Sequence, residues 1–318
     1  MKITIVNIDN WGFNKFIKDE LEKRAVELNF IDLNKEQYQY PTKFHKVFNF
    51  FSKLFFDFNL KREHLNSFLF KKIKNIEKQD TILVIKGDFL CKNAIRLLNS
   101  KTDNLIIYFN DSFKRYPRMK KIYPFFDTVY SFEPKDVKKY KLQFISNYIY
   151  FNLDIKKDTK SKYQVFNISS LDKRDEVMPK IAAYLKSNNI SYKLIAFSQK
   201  QYPALEKLNI DVSNKIYNHD AVFKMTQEAD IVLDLQRPNQ EGLSFRIFEA
   251  LGLEKKIITT NKSLVDYDFY HPNNIAIIDS DAIEIPASFF STPYQKIDEN
   301  IIKKHHISSW VNKVFNFT

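Results

Sequence analysis

Glycine and cysteine are the scarcest informative residues of this 318-residue chain, which contains four glycines and one cysteine. The single cysteine, Cys91, cannot form a disulfide within the chain, and no cysteine-based metal site is suggested. Glycines this rare are expected where the backbone needs a conformation or a close approach that other residues do not allow. No Gly-x-Gly-x-x-Gly occurs, so a dinucleotide-binding fingerprint is absent. The lack of cysteine pairs fits a reducing compartment, and we expect a cytoplasmic protein.

Long apolar runs are also missing. No segment approaches the roughly 18 apolar residues that a spanning helix needs, and the first residues, MKITIVNIDN, suggest a buried strand rather than a signal peptide. Positive charge, by contrast, is abundant: 50 Lys and Arg against 38 Asp and Glu give a formal net charge of +12. This excess favours an anionic membrane surface or an anionic substrate as partner, with nucleic acid the less favoured alternative.

Short apolar strands alternate with helical segments along the chain. Strands are predicted at KITIVNI, NFIDL, TILVIKG, NLIIYFN and TVYSF, and again at YQVFNIS, YKLIAFS, DIVLDL, KKIITT and NIAIID. Such alternation predicts parallel βαβ units, and a polar, lysine-rich stretch at residues 153–162 separates the two sets. We therefore expect an α/β protein with two Rossmann-like domains, residues 1–155 and 156–318.

The segment QEGLSFRIFEALGLEKKIITTN carries two of the four glycines and a pair of glutamates, Glu241 and Glu249, separated by seven residues. It predicts a helix from about Leu243 to Leu251 with an apolar stripe toward the core. Gly242 and the N–H groups at the start of this helix favour an anion such as a phosphate. Arg246 lies three residues before Glu249, so a salt bridge on an exposed helix is the alternative explanation for that glutamate.

The two glutamates and the Ala-Leu-Gly that comes after them resemble the E-x7-E signature of GT-B glycosyltransferases. GLSFRIFEALGLEKKIITTN, YDFYHPNNIAIID and YFNDSFKRYPRMKKIYPFFDTVYSFEPKDVKKYKL resemble bacterial proteins of lipopolysaccharide, capsule and exopolysaccharide biosynthesis. Ser244 and Phe245 stand where that family often has Thr and Met. The resemblance implies a GT-B fold, in which two Rossmann-like domains face each other across a cleft. It also implies that Glu249 binds the nucleotide ribose and that Glu241 lies near the donor sugar.

Position in the chain suggests further candidates. Ser169, Ser170, Lys173 and Arg174 come after the first strand of the second half and would hold a diphosphate at a helix N-terminus, unless they are only a solvated helix start. The expected nucleotide-sugar contacts are Ser169, Arg174, Gly242, Leu243, Ser244, Arg246 and Glu249.

In the first half, Asp111 comes directly after a predicted strand and would contact the acceptor or act as a catalytic base, with helix capping as the equal alternative. Glu241 is the other catalytic candidate. Ser112, Lys114 and the loop glycine Gly12 are expected on the acceptor side. Gly87 also comes directly after a strand.

Two other features leave alternatives open. The Asp-Tyr-Asp at residues 266–268 invites comparison with a metal motif, but such short matches arise by chance, and we expect no metal and no cofactor. The stretch from Pro41 to Asn75 contains eight Lys or Arg and nine Phe. Its phenylalanines would either fill the core of the first domain, lie on an anionic membrane face or, least favoured, stack on nucleic acid bases.

The resemblance also implies that the C-terminal segment SSWVNKVF forms a helix that returns to the first domain. It thus implies a metal-independent glycosyltransferase that moves a sugar from a nucleotide-sugar to a lipid-linked or cell-surface polysaccharide, peripheral to the inner membrane face. Three alternatives remain: a sugar-nucleotide epimerase of the same fold, a DNA-modifying glucosyltransferase, and a non-catalytic nucleotide-sugar-binding protein.

Overall fold

Two sets of alternating strands and helices build two parallel sheets, in a computed structural model that describes residues 1–36, 38–155, 160–171 and 176–317. The chain divides into one unit of Met1–Ile145 together with the residues from Val311 onward, and a second of Ser146–Trp310. The division lies earlier than the boundary expected at residues 155 and 156, because the intervening residues pack within the second unit. There Phe151 lies against Gly252, and the backbone of Ile149 pairs with that of His306.

The first unit contains a six-stranded parallel sheet in the described residues, in the order β2-β1-β3-β4-β5-β6. The strands are β1 Lys2–Asn7, β2 Glu27–Asp32, β3 Thr81–Ile85, β4 Leu105–Phe109, β5 Thr128–Ser131 and β6 Gln143–Phe144. The helices are α1 Asn14–Glu22, α2 Lys43–Phe56, α3 Leu60–Lys74, α4 Lys92–Asn99, α5 Met119–Ile122 and α6 Pro134–Tyr140.

The centre of this sheet is apolar on both faces. Strands β3 and β4, TILVI and LIIYF, are buried at every position, which is typical of parallel strands covered by helices on both sides. Leu69 and Ile73 of α3 and Ile95 of α4 belong to the same buried cluster.

The second unit repeats the design with a six-stranded parallel sheet in its described part, ordered β12-β11-β10-β7-β8-β9. Its strands are β7 Tyr163–Ser170, β8 Tyr192–Phe197, β9 Ile210–Ser213, β10 Ala229–Asp234, β11 Lys256–Thr259 and β12 Ile275–Ile277. Its helices are α7 Val177–Ser187, α8 Pro203–Glu206, α9 His219–Gln227, α10 Phe245–Gly252, α11 Ala287–Ser291 and α12 Glu299–Lys304.

A last helix, α13 (Ile307–Phe315), contributes its end to the first unit. Arg24 donates a hydrogen bond to Oδ1 of Asn312 at 2.6 Å, and the hydroxyl of Tyr130 donates to the carbonyl of Lys313 at 3.3 Å. Among the described helices of the protein, none has the length and apolar content needed to cross a membrane.

The sequence predicted the other ten strands but missed β6 and β9, which are edge strands of two and four residues. An edge strand is paired on one side only, so it needs little apolar sequence and leaves a weak signal. Helix α10 begins at Phe245 rather than at Leu243, because the side chain of Ser244 accepts a hydrogen bond from the N–H of Arg246 and caps the helix. The apolar stripe predicted for this helix is confirmed, since Leu243, Ile247 and Leu251 are buried.

Gly252 allows α10 to approach the segment that opens the second unit. A Cβ atom at this position would lie 2.7 Å from Cζ of Phe151 and 2.8 Å from Cγ2 of Ile149, closer than carbon atoms pack. We therefore expect Gly252→Ala to lower the free energy of unfolding by about 1–3 kcal/mol through overpacking, measured by urea denaturation. In a Phe151→Leu background, which removes the nearer atom, the loss should be smaller. If Gly252→Ala were as stable as the parent, the close approach would be wrong, since alanine is otherwise the better helix former.

Candidate functional site

The order of strands in the second sheet changes direction between β7 and β10. The chain runs from β7 outward through β8 to β9, then returns to β10 on the other side of β7. Asn167 of β7 crosses this junction and donates to the carbonyl of Leu233 at 2.6 Å, while the hydroxyl of Ser169 donates to Oδ1 of Asn167 at 3.0 Å. In open parallel sheets, ligands bind beyond the carboxyl ends of the strands at this kind of switch point.

A buried carboxylate at the end of β10 fixes the position of α10. Asp234 is 5% exposed and accepts hydrogen bonds from the hydroxyls of Ser244 at 2.7 Å and of Thr259 at 3.0 Å. Because Ser244 also caps α10, the N-terminus of that helix is tied to the carboxyl ends of β10 and β11. The segment that carries the two glutamates therefore begins at the switch point.

The loop before α10 is held by side chains that donate to its carbonyl groups. The carbonyl of Glu241 accepts from Asn261 and from Ser263, each at 3.0 Å, and that of Leu243 accepts from Asn147 at 2.8 Å. Gly242 is buried in this loop. Among the described glycines those with positive φ are Gly12 and Gly87, so Gly242 does not occupy the left-handed region.

Glu249 is fully buried, and both of its carboxylate oxygens are engaged. Oε1 accepts a hydrogen bond from the hydroxyl of Tyr150 at 2.5 Å, and Oε2 pairs with the guanidinium of Arg246. The ion pair that the spacing suggested is present, but the expectation that it lies on an exposed helix is wrong, because α10 packs into the core of the second unit. The pKa of Tyr150 is raised well above its usual value by burial and then by the charge of Glu249, so the phenol remains a donor at neutral pH.

Of the four other candidates of the second unit, two lie at a different place from the one expected and two lie outside the described residues. Ser169 and Ser170 are the last residues of β7, not the start of a helix, because β7 continues to pair with β8 through Ser170. Lys173 and Arg174 lie outside the described residues.

The carboxyl ends of β3 and β4 in the first unit bring together charged groups around Asp111. One oxygen of Asp111 pairs with Arg115 at 2.7 Å, and the other lies 3.8 Å from Nζ of Lys86. Lys86 has a positive φ of 70° and its ammonium lies 3.8 Å from the ring centre of Tyr116. Burial raises the pKa of the nearby Asp88.

The remaining acceptor-side candidates line loops of the first unit. Ser112 is buried and its hydroxyl accepts from the N–H of Arg115 at 3.3 Å, so it caps a turn rather than a helix. Lys114 is exposed, and Gly12 has a φ of 79° in the loop between β1 and α1.

Asp268 of the Asp-Tyr-Asp match already has basic partners. Asp268 contacts Lys304 and His305, each at 2.6 Å. Within the part of the chain that the structure describes, no group of three or more His, Cys, Asp or Glu is arranged to hold a metal.

Sequence reasoning missed several residues that organise the site: Asn147, Tyr150, Asp234, Thr259 and Asn261. Asp234 had a detectable signal, since an acidic residue that ends a buried apolar strand needs buried donors. Tyr150 and Asn147 had none, because they lie about a hundred residues from their partners in the chain.

No family model matches the sequence, and no curated protein matches it. Several solved structures, by contrast, are similar to this protein in fold. A sucrose-phosphate synthase from Thermosynechococcus elongatus is similar with a TM-score of 0.64 at 10% identity, covering 99% of this chain and 98% of that one. A UDP-forming α,α-trehalose-phosphate synthase from Burkholderia xenovorans, in complex with glucose-6-phosphate, gives 0.58 at 9% identity over 99% and 98% of the two chains. A UDP-GlcNAc 2-epimerase from Neisseria meningitidis, bound to UDP-GlcNAc, gives 0.54 at 8% identity over 99% of both.

The chain has the GT-B fold. Identities this low show the fold alone, so the activity has to be argued from the site. In this GT-B chain the site residues of the second unit are carried by β10, the loop after it and α10, all tied together by Asp234 and Asn261.

Replacing Glu249 should expose how strongly the buried pair holds α10. Glu249→Ala removes the partner of both the hydroxyl of Tyr150 and the guanidinium of Arg246. Because the Arg246 side chain is partly exposed, we expect the free energy of unfolding to fall by about 3 kcal/mol, the low end for a broken buried pair. Tyr150→Phe removes one hydrogen bond to a charged group and should cost about 1.5–3 kcal/mol. Both are measured by chemical denaturation. Losses below about 0.5 kcal/mol for both variants would show that Glu249 is not buried as described.

Proposed function

We propose that the protein is a glycosyltransferase that moves a sugar from a nucleotide-sugar to a saccharide acceptor. The observation that carries the proposal is the E-x7-E segment, from Glu241 to Glu249, which begins where Ser244 is bonded to Asp234 at the switch point of the second sheet. The likeness to two synthases that form sugar phosphates, over nearly the whole of each chain, supports it.

The diphosphate of the donor would bind at the start of α10. Ser244, the backbone at Gly242 and Leu243, and the guanidinium of Arg246 combine a helix N-terminus with a cation, which is the arrangement that favours phosphate. Arg246 is one-fifth exposed, so its guanidinium is reachable from solvent. Ser169, at the end of the neighbouring strand β7, and Arg174 complete the proposed contacts.

Glu249 would bind the ribose by exchanging one donor for another. The hydroxyl of Tyr150 now donates to Oε1, and a ribose hydroxyl offers the same kind of donor. A fully buried carboxylate cannot lose a partner without cost, so the ribose must take the place of Tyr150 as it enters. Tyr150 is thus the proposed competitor for the ribose.

Catalysis would break the bond between the sugar C1 and the diphosphate and form one from C1 to an acceptor oxygen. Charge that develops on the diphosphate would be stabilised by Arg246 and the N-terminus of α10, without a metal. Asp111 is the proposed catalytic base of the first unit, and Glu241 of the second unit is proposed to act near the donor sugar. Ser112, Lys114 and Gly12 would contact the acceptor, which we propose is a lipid-linked or cell-surface saccharide.

A sugar-nucleotide epimerase is the second candidate, because an epimerase shares the fold over 99% of both chains. The two enzymes differ in whether they need an acceptor. A transferase releases nucleotide from a nucleotide-sugar only as fast as an acceptor accepts the sugar, whereas an epimerase converts the nucleotide-sugar alone. Chromatography of the products formed with and without a mixture of bacterial glycolipids separates them.

Nucleotide binding can be tested before the acceptor is known. We expect one of UDP, GDP, CMP and dTDP to stabilise the protein by about 2.7 kcal/mol at a hundredfold excess over its Kd, seen as a rise in melting temperature. Glu249→Gln should weaken the binding of that nucleotide. Tyr150→Phe should bind it at least as tightly as the parent protein does, because the ribose then has no competitor for Glu249.

The matched control is Glu228→Gln. Glu228 directly precedes β10, at the opposite end of that strand from Asp234, and its carboxylate pairs with Lys162. It should leave nucleotide binding unchanged. If Glu249→Gln changed stability but not nucleotide affinity, the ribose role would be wrong and Glu249 would only position Arg246.

A further inference from the structure

Helix α2 of the first unit presents its apolar residues to solvent. Phe44, Val47, Phe48, Phe51, Leu54 and Phe55 recur at the three- and four-residue spacing of one helical face, here called the α2 apolar face, and each is 48–75% exposed. Of the alternatives left open for the phenylalanines from Pro41 to Asn75, filling the core is therefore wrong for α2. It holds for α3, whose Phe68 and Phe70 pack against the buried cluster that contains Leu69 and Ile73.

The inward side of α2 is polar, which is the reverse of a helix in a water-soluble domain. The buried residues of α2 are Asn49 and Ser52. Asn49 donates to the hydroxyl of Tyr40 at 2.7 Å and accepts from the N–H of Leu60 at 2.7 Å. Turning the helix to bury its phenylalanines would break these bonds, so the orientation is fixed by polar contacts.

The C-terminal end of α2 is anchored by charge. Asp57, which ends the helix with a positive φ of 50°, contacts Arg62 at 3.2 Å, Arg118 at 3.0 Å and Lys121 at 3.5 Å. Burial acts to raise the pKa of Asp57, but the Arg62 hydrogen bond and the surrounding cations bring it below its usual value. The helix is thus attached to the rest of the unit while its apolar face points away.

Exposed apolar patches of this kind mark an interaction surface. The charge of α2 selects the partner, because the helix carries Lys43, Lys46, Lys53 and His45 and contains no Asp or Glu. Two copies of the chain meeting face to face would oppose these lysines to one another within molecules of net charge +12, which is unfavourable. A leaflet with anionic headgroups satisfies both the phenylalanines and the lysines.

We propose that the α2 apolar face inserts into an anionic lipid leaflet and holds the protein at the membrane surface, with the lysines of α2 among the headgroups. At 14 residues, α2 is about 21 Å long, so it lies along the interface and does not span the bilayer. The proposal stands whether or not the chain transfers a sugar, and an acceptor carried on a lipid would be met at that surface.

Flotation with vesicles of phosphatidylcholine, alone or mixed with phosphatidylglycerol, tests it. The protein should float with the mixed vesicles, and less as salt is added. The triple variant Phe44→Ser, Phe51→Ser, Phe55→Ser should lose on the order of a hundredfold or more in partitioning. Each Lys→Gln change in α2 should lose roughly fivefold.

The matched control replaces exposed apolar residues elsewhere, Ile216→Ser with Val265→Ser in the second unit, which are 66% and 50% exposed. It should float like the parent. Because the replaced phenylalanines are exposed, the triple variant should keep the parent melting temperature, and Phe48→Trp should shift its added fluorescence to the blue on vesicle binding.

Three results would overturn the proposal: vesicle binding that the triple variant retains, binding without a blue shift at residue 48, or no binding at all. If the protein did not bind vesicles but sedimented as a dimer, and the triple variant sedimented as a monomer, the α2 apolar face would instead be an interface between two copies of the chain.

Discussion

A buried carboxylate that must keep its partners governs the second unit. Glu249 cannot be moved from its place in α10 without breaking its contacts with Arg246 and Tyr150, and Asp234 holds Ser244 and Thr259 in the same way. Buried charges that lose a partner are costly, so β10, the loop after it and α10 behave as one element. This rigidity is what a preorganised phosphate site requires.

In each of the two units, polar side chains fix the orientation of a helix. In the second, buried polar groups bring the E-x7-E segment to the carboxyl ends of β10 and β11. In the first, Asn49 and Asp57 orient α2 so that its phenylalanines stay outside. Neither arrangement maximises apolar burial within its own unit, and in both the departure coincides with a surface for which a ligand or a partner is proposed.

The fold was predictable because parallel strands in the centre of a sheet are buried on both faces and therefore consist of short, unbroken apolar runs, such as TILVI and LIIYF. The position of the E-x7-E segment after β10 was predictable for the same reason. The burial of Glu249 was not, since its partner Tyr150 lies in a segment assigned to the other domain. Which face of α2 is exposed was not predictable either, because an apolar stripe at helical spacing does not indicate whether that stripe faces the core or the solvent.

The proposed nucleotide-binding site lies at the carboxyl end of β10 and the start of α10. Photolabelling with an azido derivative of the nucleotide that stabilises the protein, together with mapping of the labelled peptide, tests it most directly. The label should lie within residues 234–249 or at the end of β7, and excess unmodified nucleotide should abolish it. Labelling confined to Met1–Ile145 would contradict the proposed site.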